Sequence, residues 1–249
     1  MTDTKPLISI ITITFNAATE LLPTMESVAH QTFKGFEHLI IDGASTDNTL
    51  ELARKSGTKS LRILSEPDNG LYDAMNKGLR MARGKYVLFL NAGDSFHADD
   101  TLALYAAKAA GGPDIIYADT VIVDAQRNII GPRHLSAPDI LTFQSFAKGM
   151  LICHQAFMVR KDLAPAYDTS YRLSADYDWT VKCIRKSKPG KCVNLHTVAI
   201  DYLSDGMTDH NKMKSLRERF SIMARHYGVL RTVTNHIGFI GRAIKRKSF

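Results

Sequence analysis

Leu7 to Phe15 is a nearly unbroken run of apolar and β-branched residues, LISIITITF, bounded by Pro6 and Asn16. A run of that length and composition predicts a strand covered on both faces. The period then changes. Between Glu20 and Gln31, Leu21, Leu22, Met25, Val28 and Ala29 recur at helical intervals, with Pro23 tolerable in a first turn. Phe36 to Ile41 (FEHLII) predicts a second strand, and Thr49 to Ser56 a helix that Gly57 can stop. Leu61 to Ser65 predicts a third strand, and Leu71 to Arg83 a helix ended by Gly84. Lys85 to Leu90 (KYVLFL) predicts a fourth strand. Strands alternating with helices specify an α/β sheet that is parallel in its first half.

The second half is less regular. Ile115 to Val123 and Met150 to Val159 read as strands, Pro138 to Lys148 as a loop or short helix, and Asp176 to Lys186 as a helix. From Leu216 the chain is helical and increasingly basic. The expected organisation is one domain over residues 1–215, with halves 1–110 and 111–215, followed by a basic helical extension over 216–249.

Ligands on parallel sheets collect at the carboxyl ends of strands, and the polar clusters of this chain fall at those ends. Asp42 follows the second strand and can accept hydrogen bonds from a base imide or a ribose hydroxyl. Ser45 and Asp47 are good caps for the following helix and read that way. The run from Asp68 to Gly78 leads a loop into a helix N-terminus, an end that attracts phosphate. Asp73 and Asn76 share a face there, while Lys77 and Arg80 read as a solvated face. Asp94 closes Asn91-Ala92-Gly93-Asp94 after the fourth strand. It can either cap a turn or present oxygens to Mg²⁺, which takes one or two carboxylates together with substrate phosphates. Asp176 and Asp178 open a helix. They serve either its dipole or, near a sugar, as general base toward a hydroxyl. His154, beside the apolar AFMV, reads as a core histidine.

Composition narrows the classes. The 249 residues carry a net charge of +7 and are 45% hydrophobic, enough for a core and not a disordered chain. The basic balance suggests an anionic partner. The three cysteines, Cys153, Cys183 and Cys192, form no C-x-x-C pair, which points to a reducing compartment and against a zinc site. The first residues lack the basic, cleavable pattern of a signal peptide, and no apolar run reaches the roughly 18 residues that span a bilayer. Gly84-Lys85 is not a P-loop: Tyr86 stands where Ser or Thr is needed and a strand follows. No G-x-G-x-x-G follows the first strand.

Together, ISIITITFN, IIDGASTDNT and EPDNGLYDAMNKGLRMARGKYVLFLNAGD, then HQAFMVRK and SADYDW, resemble the family 2 glycosyltransferases. The NAGD and GLYDAMNKG forms look most like bacterial exopolysaccharide transferases of the colanic-acid type. The resemblance implies a GT-A fold: a Rossmann-like mixed sheet with a parallel nucleotide-binding half, helices on both faces and a C-terminal helical tail. It implies that Thr14, Phe15 and Asn16 line a nucleoside pocket, that Asp42 binds the base, and that Asn76 lies near ribose and diphosphate. Asn91 and Asp94 would meet the donor, Asp94 would hold a divalent cation (Mg²⁺ or Mn²⁺), and Asp176 would be the catalytic base, with Asp178 its competitor. Two departures stand out: Asn91 where the family often has Asp, and Ala175 where Glu is common.

The implied enzyme is a metal-dependent hexosyltransferase. It would invert the sugar of a UDP-sugar onto a glycan or lipid-linked acceptor in surface-polysaccharide synthesis. It would be cytoplasmic, at the inner face of the membrane. Val229 to Phe249 mixes Ile237, Phe239, Ile240 and Ile244 with Arg242, Lys245, Arg246 and Lys247, and reads either as an amphipathic membrane-surface helix or as a packed helix with a basic end. The alternative enzyme is a nucleotidyltransferase acting on a sugar phosphate. A nucleic-acid-binding domain ranks last, because the basic residues concentrate in the tail, away from the acidic loops.

Overall fold

A computed structural model describes residues 5–58, 60–204 and 212–237. The elements begin β1 (Ile8–Thr14), α1 (Ala18–Ala29), β2 (Phe36–Asp42), α2 (Thr49–Lys55), β3 (Leu61–Ser65), α3 (Leu71–Met81) and β4 (Tyr86–Phe89). They continue β5 (Ser95–Phe96), α4 (Thr101–Ala109), β6 (Ile115–Val123), β7 (Ile129–Pro132), β8 (Phe157–Arg160), α5 (Ala175–Lys186), β9 (Cys192–Leu203) and α6 (Lys212–Tyr227). Residues 229–237 are also helical.

The strands form one mixed sheet ordered β3-β2-β1-β4-β8-β6-β9-β5, with β7 beside β6. The first four are parallel, as expected, and β8 then runs antiparallel to both β4 and β6. Every residue of β1 and β2 is buried, because both faces are covered. On one face Ile40 packs with Leu21 and Met25 of α1 and Ala53 of α2. On the other, α3 lies so close that a Cβ on Gly78 would stand 2.5 Å from Ile11 Cγ2. Because β1, β2 and β4 run parallel, their carboxyl ends meet at one rim.

Two sequence expectations change. The strand expected over Met150–Val159 is irregular through Cys153, makes a 3₁₀ turn at His154–Ala156, and only then becomes β8. Arg133 takes the carbonyls of Met150 and Leu151, which removes them from any ladder. Lys77 is buried rather than solvated, its ammonium held by the Pro67 carbonyl at 2.7 Å and the Glu66 carboxylate at 3.0 Å. The tail residues from Phe239 onward lie outside the described residues.

Gly84 fixes how α3 hands over to β4. A Cβ there would lie 2.6 Å from the Ser9 amide nitrogen and 2.8 Å from the Ile8 carbonyl carbon, backbone that cannot yield. Gly84→Ala is expected to destabilise the fold by about 1–3 kcal/mol. Gly111→Ala, whose Cβ would meet the Lys108 carbonyl at an ordinary 3.6 Å, is expected to leave stability nearly unchanged. Urea unfolding of both variants checks the contrast.

Candidate active site

The rim begins at the end of β1. Thr14 and Asp42 are neighbours in register, and Asp42 is 1% exposed. Its Oδ1 accepts from Thr14 Oγ1 (2.9 Å) and Ser45 Oγ (2.5 Å), and its Oδ2 from the Ser45 amide (2.9 Å) and Ser65 Oγ (2.8 Å). Burial acts to raise this carboxyl, but those hydrogen bonds outweigh it and hold the group below its usual range. A base imide could reach Asp42 only by displacing one of these partners, since a carboxylate has about four acceptor positions.

The two loops at this end are laced together. Asn16, at φ 49°, donates its amide to Ser45 Oγ and accepts from the Thr46 amide. Asp47 accepts from the Ala18 and Thr49 amides, serving the first turns of both α1 and α2. Ser45 is therefore a brace for Asp42 rather than a cap, and Asp47, one residue before the Asn48 N-cap, still takes the amide of the first residue of α2. Phe15 stands 66% exposed at the rim. A Cβ on Gly43 would meet both the Phe15 ring (3.3 Å) and Asp68 Oδ2 (2.6 Å), so an aromatic face and a carboxylate flank a bare backbone. Asp68 had no signal of its own in the sequence beyond lying in a turn.

The second part lies at the end of β4. The Asp94 amide closes a turn onto the Asn91 carbonyl, and buried Thr24 of α1 clasps that turn through the Gly93 amide and the Asp94 carbonyl. Gly93 sits at φ +98°, where a side chain would be strained and would press on Leu203. Asp94 is 4% exposed. Its Oδ1 accepts from the Leu203 amide (3.0 Å) and its Oδ2 from the Gln155 side chain (2.7 Å). Burial dominates and pushes this carboxyl up to about 7, while the two hydrogen bonds and the charge of Arg127 pull it back. Arg127, in the β6–β7 hairpin at φ 67°, has a buried Nη1 without a hydrogen-bond partner.

Asp176 faces this end from the first turn of α5. Tyr72 donates to its Oδ1 (3.3 Å), and His154 Nδ1 lies 3.6 Å from its Oδ2. His154 Nε2 in turn lies 3.4 Å from Asn91 Nδ2. Burial holds the imidazole below its usual range, hence neutral near pH 7. Adjacent residues of one 3₁₀ turn thus reach two carboxylates: His154 to Asp176 and Gln155 to Asp94. Sequence reasoning left His154 in the core.

Asp178 faces elsewhere. It is fully buried, 2.7 Å from His226 Nε2 and 2.5 Å from Lys182 Nζ. These partners outweigh its burial and keep it below the usual range. Asn76 is not brought to the carboxylates either. Its amide clasps the Tyr167 backbone at 3.0 and 2.7 Å. Tyr167 stacks between Tyr72 (5.6 Å) and Trp179 (4.9 Å), the aromatic column beneath Asp176.

Among the described residues no group of three or more His, Cys, Asp or Glu side chains could hold a metal. What remains for a cation is Asp94 and the buried Asn91 Oδ1, which has no hydrogen-bond partner. Two oxygens suit Mg²⁺ or Mn²⁺ only if a bound diphosphate supplies others.

The chain is similar to several known proteins over most of its length. Residues 9–167 match the family described as Glycosyl transferase family 2. A PGL/p-HBAD biosynthesis glycosyltransferase of Mycobacterium bovis (strain BCG / Pasteur 1173P2) is 35% identical over 225 residues, which are 85% of this chain and 84% of that protein. Residues 1–349 of S. aureus TarS superpose with a TM-score of 0.71 at 20% identity, over 93% of this chain and 72% of that one. That fragment has also been solved with UDP-GlcNAc. A Pyrobaculum calidifontis mannosyltransferase, PcManGT, in complex with GDP-Man and Mn²⁺, superposes at 0.64 and 14% identity over 96% of this chain and 76% of that one. The structural likenesses establish the GT-A fold.

Asp94 is expected to titrate near pH 7 in the ligand-free protein, followed by the ¹³C shift of its carboxyl. Arg127→Ala should move the midpoint higher still. Because unfolded Asp releases its proton near 4, Asp94 favours the folded state below about pH 4, and that advantage is lost as pH rises from about 4 to 7. A midpoint near 4 in the folded protein would contradict the burial argument.

Proposed function

The chain belongs to glycosyl transferase family 2, and on that premise we propose that it is an inverting transferase moving a sugar from a UDP-sugar to a hydroxyl of a glycan or lipid-linked saccharide. The observation that carries this reading is the pairing of Asp94 and Asp176 across one turn, one carboxylate at a parallel strand end and one opposite it. The nucleoside is taken at Thr14, Phe15 and Asn16, with Gly43 and Asp68 beside them. Asp42 acts there chiefly by fixing the loop, and Asn76 through Tyr167. UDP as the nucleotide draws on the TarS complexes, which hold UDP and UDP-GlcNAc. A place in bacterial glycan biosynthesis draws on the mycobacterial PGL/p-HBAD biosynthesis relative. The three free cysteines suit a cytoplasmic enzyme.

The reaction divides between the two walls. Asn91 and Asp94 receive the diphosphate end of the donor, and Arg127 supplies a positive charge beside Asp94. A divalent cation held by Asp94 and Asn91 jointly with the diphosphate would supply Lewis-acid neutralisation of the leaving group. Asp176 accepts the proton of the acceptor hydroxyl as that oxygen attacks the anomeric carbon from the face opposite the diphosphate. One such displacement inverts the centre. Tyr72 keeps Asp176 oriented; burial and the neighbouring Asp176 charge hold its phenol far above its usual range, so it stays a donor.

Asp176→Asn is expected to lower transfer by about 10²–10⁴ while leaving donor affinity intact. Near wild-type turnover would reject Asp176 as base. Calorimetry of UDP binding tests the cation apart from activity: Mg²⁺ should tighten binding to the wild-type chain and have little effect on Asp94→Ala. Equal binding by the wild-type chain with Mg²⁺ and with chelator would remove the metal from the mechanism.

A further inference from the structure

The charge of the chain is not spread over it. Residues 212–249 contain ten of the 32 Lys and Arg and one of the 25 Asp and Glu, so this stretch carries +9 and the rest of the chain −2. Exposed apolar surface concentrates in the same place. Of 13 large hydrophobic side chains exposed among the described residues, seven lie between Met213 and Ile237.

They are ordered. On α6, Met213, Leu216 and Phe220 follow i, i+3, i+7 spacing, one stripe of a helix. Ser215 and Ile222, seven apart on its other side, are buried, and buried Met223 closes the stripe at the C-terminal end of the helix. In the helix over 229–237, Leu230, Val233 and Ile237 repeat the spacing, while buried Thr232 and Asn235, which donates to the Ala147 carbonyl at 2.7 Å, mark its inner face. The Phe220 and His236 rings meet at 5.1 Å, which brings the two helices together beside these stripes. Both helices are anchored by their inner faces, so the outward apolar rows are not the side that holds them to the domain.

We propose that α6 and the helix after it form a docking face for an anionic phospholipid bilayer. The apolar rows would enter the interface and the surrounding Lys and Arg would meet the headgroup phosphates. The charge partition selects this occupant over a second copy of the chain: residues 212–237 carry six Lys and Arg and one Glu, so a matching face would bring +5 against +5. The face also has a fixed relation to the site. Glu218 of α6 accepts the Arg172 and Leu173 amides at 3.0 and 2.9 Å, and Ser215 lies 3.2 Å from Ser174, two residues before Asp176. At its other end α6 holds α5 through His226 and Asp178. Docking would therefore orient the element bearing Asp176 at the bilayer surface, where a lipid-linked hydroxyl would arrive.

The inference goes beyond the reaction and needs no donor to test. Full-length protein is sedimented with vesicles of phosphatidylglycerol and phosphatidylcholine, and of phosphatidylcholine alone. Strong binding is expected only to the anionic vesicles, falling as salt rises. Leu216→Glu with Leu230→Glu, at positions 51% and 81% exposed, should weaken binding at least about tenfold with an unchanged circular dichroism spectrum. Overturning results are no binding by the wild-type chain, binding equal on neutral vesicles, binding retained by the double variant, or a wild-type dimer in free solution that the double variant dissolves.

Discussion

One turn of 3₁₀ helix, His154–Ala156, holds the two halves of the rim together. It enters between the end of β4 and the start of β8, where a continued strand would have aimed alternate side chains at opposite faces of the sheet. As a turn it sends Gln155 to Asp94 and His154 toward Asp176. Cys153 in turn donates to Gln155 Oε1 at 2.7 Å, so the amide is fixed with its NH₂ toward Asp94. Asp94 and Asp176 stand some eighty residues apart in sequence. This short segment, with the Arg133 side chain that keeps the preceding carbonyls out of the ladder, joins their surroundings alongside the Tyr72–Asp176, Asn76–Tyr167 and Leu203–Asp94 contacts.

The two carboxylates at parallel strand ends show how local hydrogen bonding assigns different work to the same side chain. Asp42 and Asp94 are nearly equally hidden from solvent. Asp42 accepts four hydrogen bonds and stays ionised; it is satisfied by the protein and stiffens two loops. Asp94 accepts two and is pushed up to about 7. An under-satisfied buried carboxylate is costly in the empty protein, and a cation or positive charge would relieve it. Asn91 at the other end of the turn, with an unpartnered oxygen, has the same character without the charge.

The parallel half was legible because β1, β2 and β4 are buried and read as largely apolar runs, with helical periods between them. What escaped was set by contacts distant in the chain. β9 runs CVNLHTVAIDYL, its alternation broken at His196-Thr197, where His196 takes φ 55°, and it was not expected. The two-residue β5 exists only through pairing with β9. Asp176 and Asp178 share a helical turn and are indistinguishable in sequence; α6, nearly fifty residues on, separates them by bringing the His226 ring within hydrogen-bond distance of Asp178. Lys77 looked solvated because the loop that covers it, Glu66 to Pro67, is brought back by the end of β3. Tyr72 of the GLYDAMNKG segment reaches Asp176 of α5, about a hundred residues on, a contact that no local spacing announces.

If the His154–Gln155 turn divides labour between the walls, the two side chains should fail differently. Steady-state kinetics of His154→Ala and Gln155→Ala, with donor and acceptor varied separately, is the direct measurement. His154→Ala should lower kcat by about 10- to 100-fold with donor KM nearly unchanged, and Gln155→Ala should act mainly by raising donor KM over a similar range. Indistinguishable changes in the two variants, or none in either, would contradict the account.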